Sequence, residues 1–210
     1  YMRPPESGAE RIGWSGDFYT SSDVHPILGQ ALAKQARQLD ALLGHPDPFT
    51  IVEMGPGKGL LAKHFLSACR VNPDDSFSQR LRYVLIERSP AMRELQRQNL
   101  LHGLCEPGRI TWLEGLDSLS DDSVTGLLFS NELPDAFPVH RIQIEQGEAQ
   151  EIYVGHDGAK FVECLRPLSS PEVHQYLTNL KLSLPDGYQT EINTAAVRWM
   201  EQVARALDRG

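Results

Sequence analysis

A doubly wound α/β fold, in which a parallel sheet carries helices on both faces, is predicted by three features of this 210-residue sequence. Short apolar runs at Ile51-Val52, Tyr83–Ile86, Ile110–Leu113 and Thr125–Phe129 show no polar alternation, as strands covered on both faces require. Segments of helical periodicity separate them, as crossovers between parallel strands demand. Glycines at 55, 57 and 59 stand where the first strand passes into a helix over Leu60–Cys69. Ligands of open α/β sheets bind at such a carboxyl edge.

Along the chain, residues 1–22 are rich in Gly, Pro and Ser and read as loop. From Ile27 to Leu43, the positions Leu28, Ala31, Leu32, Gln35, Leu39 and Leu42 recur near a helical period, and Gly44–Pro48 breaks it. The polar stretch Asn72–Gln79 reads as an exposed loop. Ser89-Pro90 supplies an N-cap and a first-turn proline for a helix after the second strand. Beyond Pro138 the texture changes: Val139–Glu145, Gln150–Val154 and Phe161–Leu165 alternate in polarity around glycine-containing turns, the pattern of an antiparallel meander. Helices over Pro171–Leu182 and Thr194–Leu207 follow. The expected organisation is a core over 1–138, an inserted region over 139–190 and a returning helix over 191–210. A sheet ending at its fourth strand would expose an apolar edge, which proteins avoid. Either the chain is part of a longer protein with later strands, or the meander covers that edge.

Composition narrows the function. An apolar content of 40% supports one substantial core. The net charge of −8 argues against general affinity for nucleic acid or an anionic membrane. No apolar run reaches the length of a membrane span, and the opening residues lack the apolar core of a signal peptide. Cys69, Cys105 and Cys164 are far apart and odd in number, which fits a reducing compartment rather than a disulfide framework. The scattered histidines form no metal-ligand cluster.

The glycine turn reads as an S-adenosylmethionine turn rather than a dinucleotide turn. Pro56 has no N–H for a pyrophosphate cradle. Glu53, at the mouth of the turn, would repel phosphate and favour an ammonium or sulfonium. The spacing is G-x-G-x-G, not the G-x-G-x-x-G of a dinucleotide site. Glu87, ending the second strand, is placed to accept two ribose hydroxyls. The third-strand region from Trp112 to Asp117 is a candidate for adenine contact, with Glu114 and Asp117 as alternatives. In Ser130–Pro138 the residues Asn131, Glu132 and Asp135 follow the fourth strand. Either Asn131 and Asp135 hydrogen-bond to turn backbone, or Glu132 and Asp135 hold a cationic or hydroxyl-bearing acceptor, a guanidinium above all because carboxylates take its fork of donors. The loop Gly16-Asp17-Phe18-Tyr19-Thr20-Ser21 reads equally as a ligand cover or as an aromatic pin on the core.

Together, Gly16-Asp-Phe-Tyr-Thr-Ser, Val52-Glu-Met-Gly-Pro-Gly-Lys-Gly, Leu85-Ile-Glu-Arg-Ser-Pro and Asn131-Glu-Leu-Pro-Asp-Ala-Phe-Pro-Val resemble, in the same order, the MidA-type methyltransferases. That family includes the mitochondrial complex I assembly methyltransferase. The likeness is strong over about 13–140. It implies a Rossmann-like class I methyltransferase sheet, here incomplete, with an antiparallel β insertion after the fourth strand. It implies S-adenosylmethionine as cofactor and methylation of a protein arginine on a respiratory complex subunit or analogous partner. By position, Glu53, Gly55, Pro56, Gly57, Gly59, Glu87, Gly16, Asp17, Thr20 and Glu114 would serve the cofactor. Asn131, Glu132 and Asp135 would face the acceptor. The family commonly has aromatics where this chain has Leu133-Pro134, and leucine where it has Phe137, so the acceptor pocket is expected to differ. The family extends on both sides of this chain. The implied setting is bacterial cytoplasm, or mitochondrial matrix for a eukaryotic source, and a homodimer is the assembly considered. The competing readings are a cofactor-binding assembly factor and, further off, a nicotinamide-dependent oxidoreductase.

Overall fold

The computed structural model describes residues 21–70, 75–101 and 108–210. The candidates Gly16, Asp17 and Thr20, and Cys105, lie outside them. The chain divides into two compact units, one reaching to Leu133 and resuming at Gln202–Gly210, the other Pro134–Glu201.

The first unit is built on β1 (Phe49–Met54), β2 (Leu81–Ile86), β3 (Ile110–Leu113), β4 (Val124–Ser130) and β9 (Leu207–Arg209), the strands between β4 and β9 belonging to the second unit. Its sheet order is β3-β2-β1-β4-β9 and every pairing is parallel. The apolar runs read from sequence are thus strands of one sheet. Phe49, Ile51, Tyr83 and Leu85 are buried in a core completed by Ala33, Ala36, Phe65 and Leu66. Phe65 meets Tyr83 edge to face with centroids 5.5 Å apart.

The sheet's far edge differs from expectation. The expected final helix ends at Ala206, and the outer edge of β4 is paired within its own sheet. Leu207–Arg209 leave α7 (Thr194–Ala206) to pair parallel with β4. Three residues are too few to carry a period, and their pairing depends on a strand about 80 positions away.

The helices are α1 (Ser21–Val24), α2 (Ile27–Leu42), α3 (Leu60–Cys69), α4 (Ser76–Arg80) and α5 (Pro90–Leu101). The buried stripe of α2 is Gly29, Ala33, Ala36 and Asp40, whereas Ala31, Gln35 and Leu42 are exposed. The stripe is turned from the leucine-based one because small residues allow close approach to α3. A Cβ on Gly29 would collide with His64 Cβ and lie 2.8 Å from Phe65 N.

The expected loop over Asn72–Gln79 contains α4 instead. Asp75 caps it by accepting from Phe77 N at 3.2 Å, and Phe77 is buried edge to face on Phe49 at 5.3 Å. The cap and the single aromatic outweigh the polar composition.

Arg80 at the end of α4 grips Asp40 with both Nη groups, at 2.7 and 2.9 Å, and also donates to Pro46 O. His45 Nδ1 lies 2.8 Å from Asp40. Burial alone would raise the Asp40 pKa, but hydrogen bonds from Arg80 and His45 more than offset this and leave it below its ordinary 3.8. A depressed carboxyl pKa contributes stability that is fully present above about pH 4 and is lost as pH falls through the folded value. Arg80→Ala should therefore cost about 3–5 kcal/mol at neutral pH, the usual effect of stranding a buried charge. Denaturant titrations should show that deficit shrinking as pH is taken below 3.8. A deficit independent of pH would rule out the charge pair as its cause.

The second unit holds an antiparallel sheet ordered β7-β6-β5-β8, from β5 (His140–Glu145), β6 (Glu148–His156), β7 (Phe161–Arg166) and β8 (Gln189–Ile192). β8 went unread because Gln189-Thr-Glu-Ile is short and mostly polar. It pairs antiparallel with β5. Ile142 and Ile192 bury against Val173 of α6 (Pro171–Leu180).

Candidate functional site

The register of the parallel sheet makes one rim. Met54, Ile86, Leu113 and Ser130 occupy matching ladder positions, so the four strands end level. The residues that follow, Gly55, Glu87, Glu114 and Asn131, begin the loops of that rim. The ladder extends one step: Gly55 N donates to Ile86 O at 3.1 Å and Glu87 N to Leu113 O at 2.9 Å.

The glycine turn owes its shape to left-handed backbone. Gly55, Gly57 and Gly59 have φ of 70°, 53° and 77°, values that cost a side-chain-bearing residue about 1 kcal/mol or more. Gly59 N donates to Pro56 O at 2.8 Å, and α3 starts at once. Pro56 is buried, so it shapes the turn. Lys58 pairs with the buried Asp23 of α1 at 2.6 Å, tying the start of the described chain to the turn.

Glu53 is 2% exposed. Tyr83 O–H donates to its Oε2 at 2.7 Å. Burial raises its pKa to about 7, and the tyrosine bond only moderates this. A carboxylate so poorly compensated suits an added cation, and an ammonium group would supply one.

Glu87 is half-buried. Its Oε1 accepts from Ser89 N at 2.8 Å and its Oε2 from Gln96 Nε2 at 3.4 Å. Burial raises its pKa despite the Ser89 and Gln96 bonds. A carboxylate offers about four lone-pair positions. Bonds from Ser89, Gln96 and the Arg88 backbone do not fill them all, so the carboxylate can still accept from a ribose hydroxyl.

Glu114 sits on the rim and is 75% exposed at its side chain, where Arg93 Nη1 and Nη2 donate to one oxygen at 3.0 and 3.1 Å. Asp117 is exposed on the short helical turn Leu116–Ser118.

Asn131 is half-buried and Glu132 exposed. Glu132 holds φ of 51°, an unusual value for a residue other than glycine. Its carboxylate is not engaged by any described residue. A Cβ placed on Gly55 would fall 2.8 Å from Leu133 Cδ1, so the residue following Glu132 lies against the glycine turn. Asp135 is exposed on the turn Pro134–Ala136, which opens the second unit.

Sequence reasoning missed the groups that hold this rim. Gln96 and Asn99 of α5 reach the turn, Gln96 Nε2 donating to Gly57 O at 2.7 Å and Asn99 Nδ2 to Lys58 O at 2.9 Å. Their spacing of three places both on one helix face. A polar pair beside Leu100 was the signal available. Tyr83, the lone hydroxyl-bearing residue in its apolar strand, was the signal for the Glu53 pairing.

Over residues 28–210 the chain matches the family described as "Putative S-adenosyl-L-methionine-dependent methyltransferase". "Protein arginine methyltransferase NDUFAF7 homolog, mitochondrial" of Drosophila melanogaster is 29% identical, the match covering 76% of this chain and 42% of that protein. "Protein arginine methyltransferase NDUFAF7, mitochondrial" of Mus musculus is 24% identical, covering 77% and 41%. A crystal structure of a Burkholderia thailandensis protein bound to S-adenosyl-homocysteine superposes with a TM-score of 0.76 at 27% identity, covering 96% of this chain and 50% of that one. A native Burkholderia thailandensis structure gives a TM-score of 0.71 at 28% identity, covering 94% and 50%. The chain thus spans half or less of the length of these relatives. With sequence family, fold and rim in agreement, the chain belongs to the S-adenosyl-L-methionine-dependent methyltransferase family whose members it matches from residue 28 to residue 210.

Proposed function

We propose that this chain binds S-adenosylmethionine at the rim of its parallel sheet and methylates an arginine of a protein partner. The observation that carries the reading is Glu132: an exposed carboxylate in left-handed backbone, unengaged by described residues, one position from the leucine that rests on the glycine turn. Backbone strain held at a ligand rim fits a functional constraint.

The cofactor supplies an electrophilic methyl group on a sulfonium. The protein's part is to bind and orient. Glu87 accepts the ribose hydroxyls, Glu53 meets the ammonium, and the glycines admit the ligand close to the backbone. Glu132, with Asn131, orients the guanidinium. As the acceptor nitrogen's electron pair forms the new N–C bond and the C–S pair returns to sulfur, Glu132 takes the proton released. Little covalent help is needed, because alignment of donor and acceptor supplies most of the acceleration. A respiratory-complex subunit, or an analogous partner, in bacterial cytoplasm or mitochondrial matrix is the acceptor this reading favours.

Calorimetry with S-adenosylhomocysteine tests the cofactor. Glu87→Ala should weaken its binding by about 1.5–3 kcal/mol, the range for hydrogen bonds to a charged group. Preference for a nicotinamide dinucleotide would replace this reading with an oxidoreductase.

A second reading, a cofactor-binding interaction factor without essential catalysis, draws on the second unit. There β7 is an edge strand, and Val154 and Phe161 are 69% and 79% exposed, an arrangement open to a partner strand. Tight cofactor binding with no labelled protein after incubation with methyl-labelled cofactor and cell extract would select it.

A further inference from the structure

Gln96 is 0% exposed, a full amide buried on α5. A buried primary amide is costly unless its donors and acceptor are met. Here each is met by a different element. Trp112 Nε1, on β3, donates to Gln96 Oε1 at 3.1 Å. Gln96 Nε2 donates to Gly57 O in the glycine turn at 2.7 Å and to Glu87 Oε2 at the end of β2 at 3.4 Å.

The indole has only an N–H to offer. It therefore settles which end of the amide is oxygen, and the NH2 group must face the two acceptors. With the amide reversed, its oxygen would oppose both a carbonyl and a carboxylate. The polarity runs one way, from Trp112 through Gln96 to Gly57 and Glu87. Gly59 helps to leave room, since a Cβ there would lie 3.3 Å from Gln96 Cγ.

We propose that Gln96 is a positioning residue for the ribose-binding carboxylate. It takes its orientation from Trp112 and fixes the Glu87 carboxylate against the glycine turn, so that the carboxylate is presented to the ribose diol in one orientation. The cofactor's preference for ribose over deoxyribose then depends on a residue that does not touch the cofactor. The inference rests on the cofactor site proposed above.

The test separates this role from that of a simple strut. Affinities of the 210-residue chain for S-adenosylhomocysteine and for its 2′-deoxy analogue are measured by calorimetry. The forms compared are the unsubstituted protein, Gln96→Met, Glu87→Ala and the double variant. The unsubstituted protein should favour the ribose form about 10- to 100-fold, the worth of a hydrogen bond to a charged group. Glu87→Ala should abolish that preference. Gln96→Met, which keeps the volume, should cut it to about threefold or less, and should change it no further once Glu87 is alanine.

An equal loss of affinity for both ligands in Gln96→Met, with the preference intact, overturns the proposal, as does additivity in the double variant. If Gln96→Met does not fold, Trp112→Phe decides. It removes the donor that sets the amide while keeping an aromatic ring at that position, and an undiminished ribose preference in it also overturns the proposal. Failure of the unsubstituted protein to bind either ligand would instead refute the cofactor site itself.

Discussion

Glu132→Gln should lower methyl transfer by about two to four orders of magnitude, the usual contribution of a positioned general base, while leaving S-adenosylhomocysteine affinity within about twofold. Glutamine keeps the shape and one acceptor oxygen but cannot take the proton of a guanidinium or match its charge. The backbone offers a second handle. Because Glu132 sits at φ of 51°, Glu132→Gly should raise stability by up to about 1 kcal/mol, by removing the left-handed strain. It should abolish turnover at the same time. Gain of stability with loss of activity is the sign of strain retained for function. Parallel loss of cofactor affinity and turnover in Glu132→Gln would move the residue to the cofactor's side of the reaction.

Gly126→Ala should be the most damaging small substitution in the first unit. Gly126 lies within β4 opposite Thr50, with φ of 146°. A Cβ there would collide with the Thr50 carbonyl oxygen and lie 2.9 Å from Thr50 N. The neighbour is backbone of the central strand and cannot swing aside. Breaking the β1–β4 ladder should cost about 3–5 kcal/mol, a large part of an ordinary domain's stability. Gly147→Ala is the control, because its φ is 79° but nothing lies within 4 Å of the added atom. It should cost only about 1 kcal/mol of backbone strain. Equal shifts in the denaturation midpoints of the two variants would remove close approach as the cause.

What was legible in the sequence was local. Ile51-Val52 leading into spaced glycines, Tyr83–Ile86 ending at Glu87, and Ser89-Pro90 opening α5 each carry their signal within a few residues, and the structure places them as read. The rim followed, because parallel strands bring their carboxyl ends to one edge. What escaped depends on distant partners. Phe77 made a helix of a polar stretch because Phe49 offers it a ring face. Leu207–Arg209 became a strand because β4 had an edge to fill. Gly29 and Ala33 outranked the leucines of α2 because α3 comes close. Gln96 looked like one more polar helix residue, and only the convergence of Trp112, Gly57 and Glu87 gives it a task.

The level ends of β1 to β4 also bear on how such chains diverge. Ile51 and Leu85, inside the ladder, answer only to packing, and a change there disturbs the whole frame. Glu114 and Asn131, just outside it, can be exchanged with little consequence for the interior. Recognition is then free to drift between lineages faster than architecture. Relatives sharing about a quarter of their residues, as at 24–29% identity here, can inherit one frame and still be selected for different acceptors.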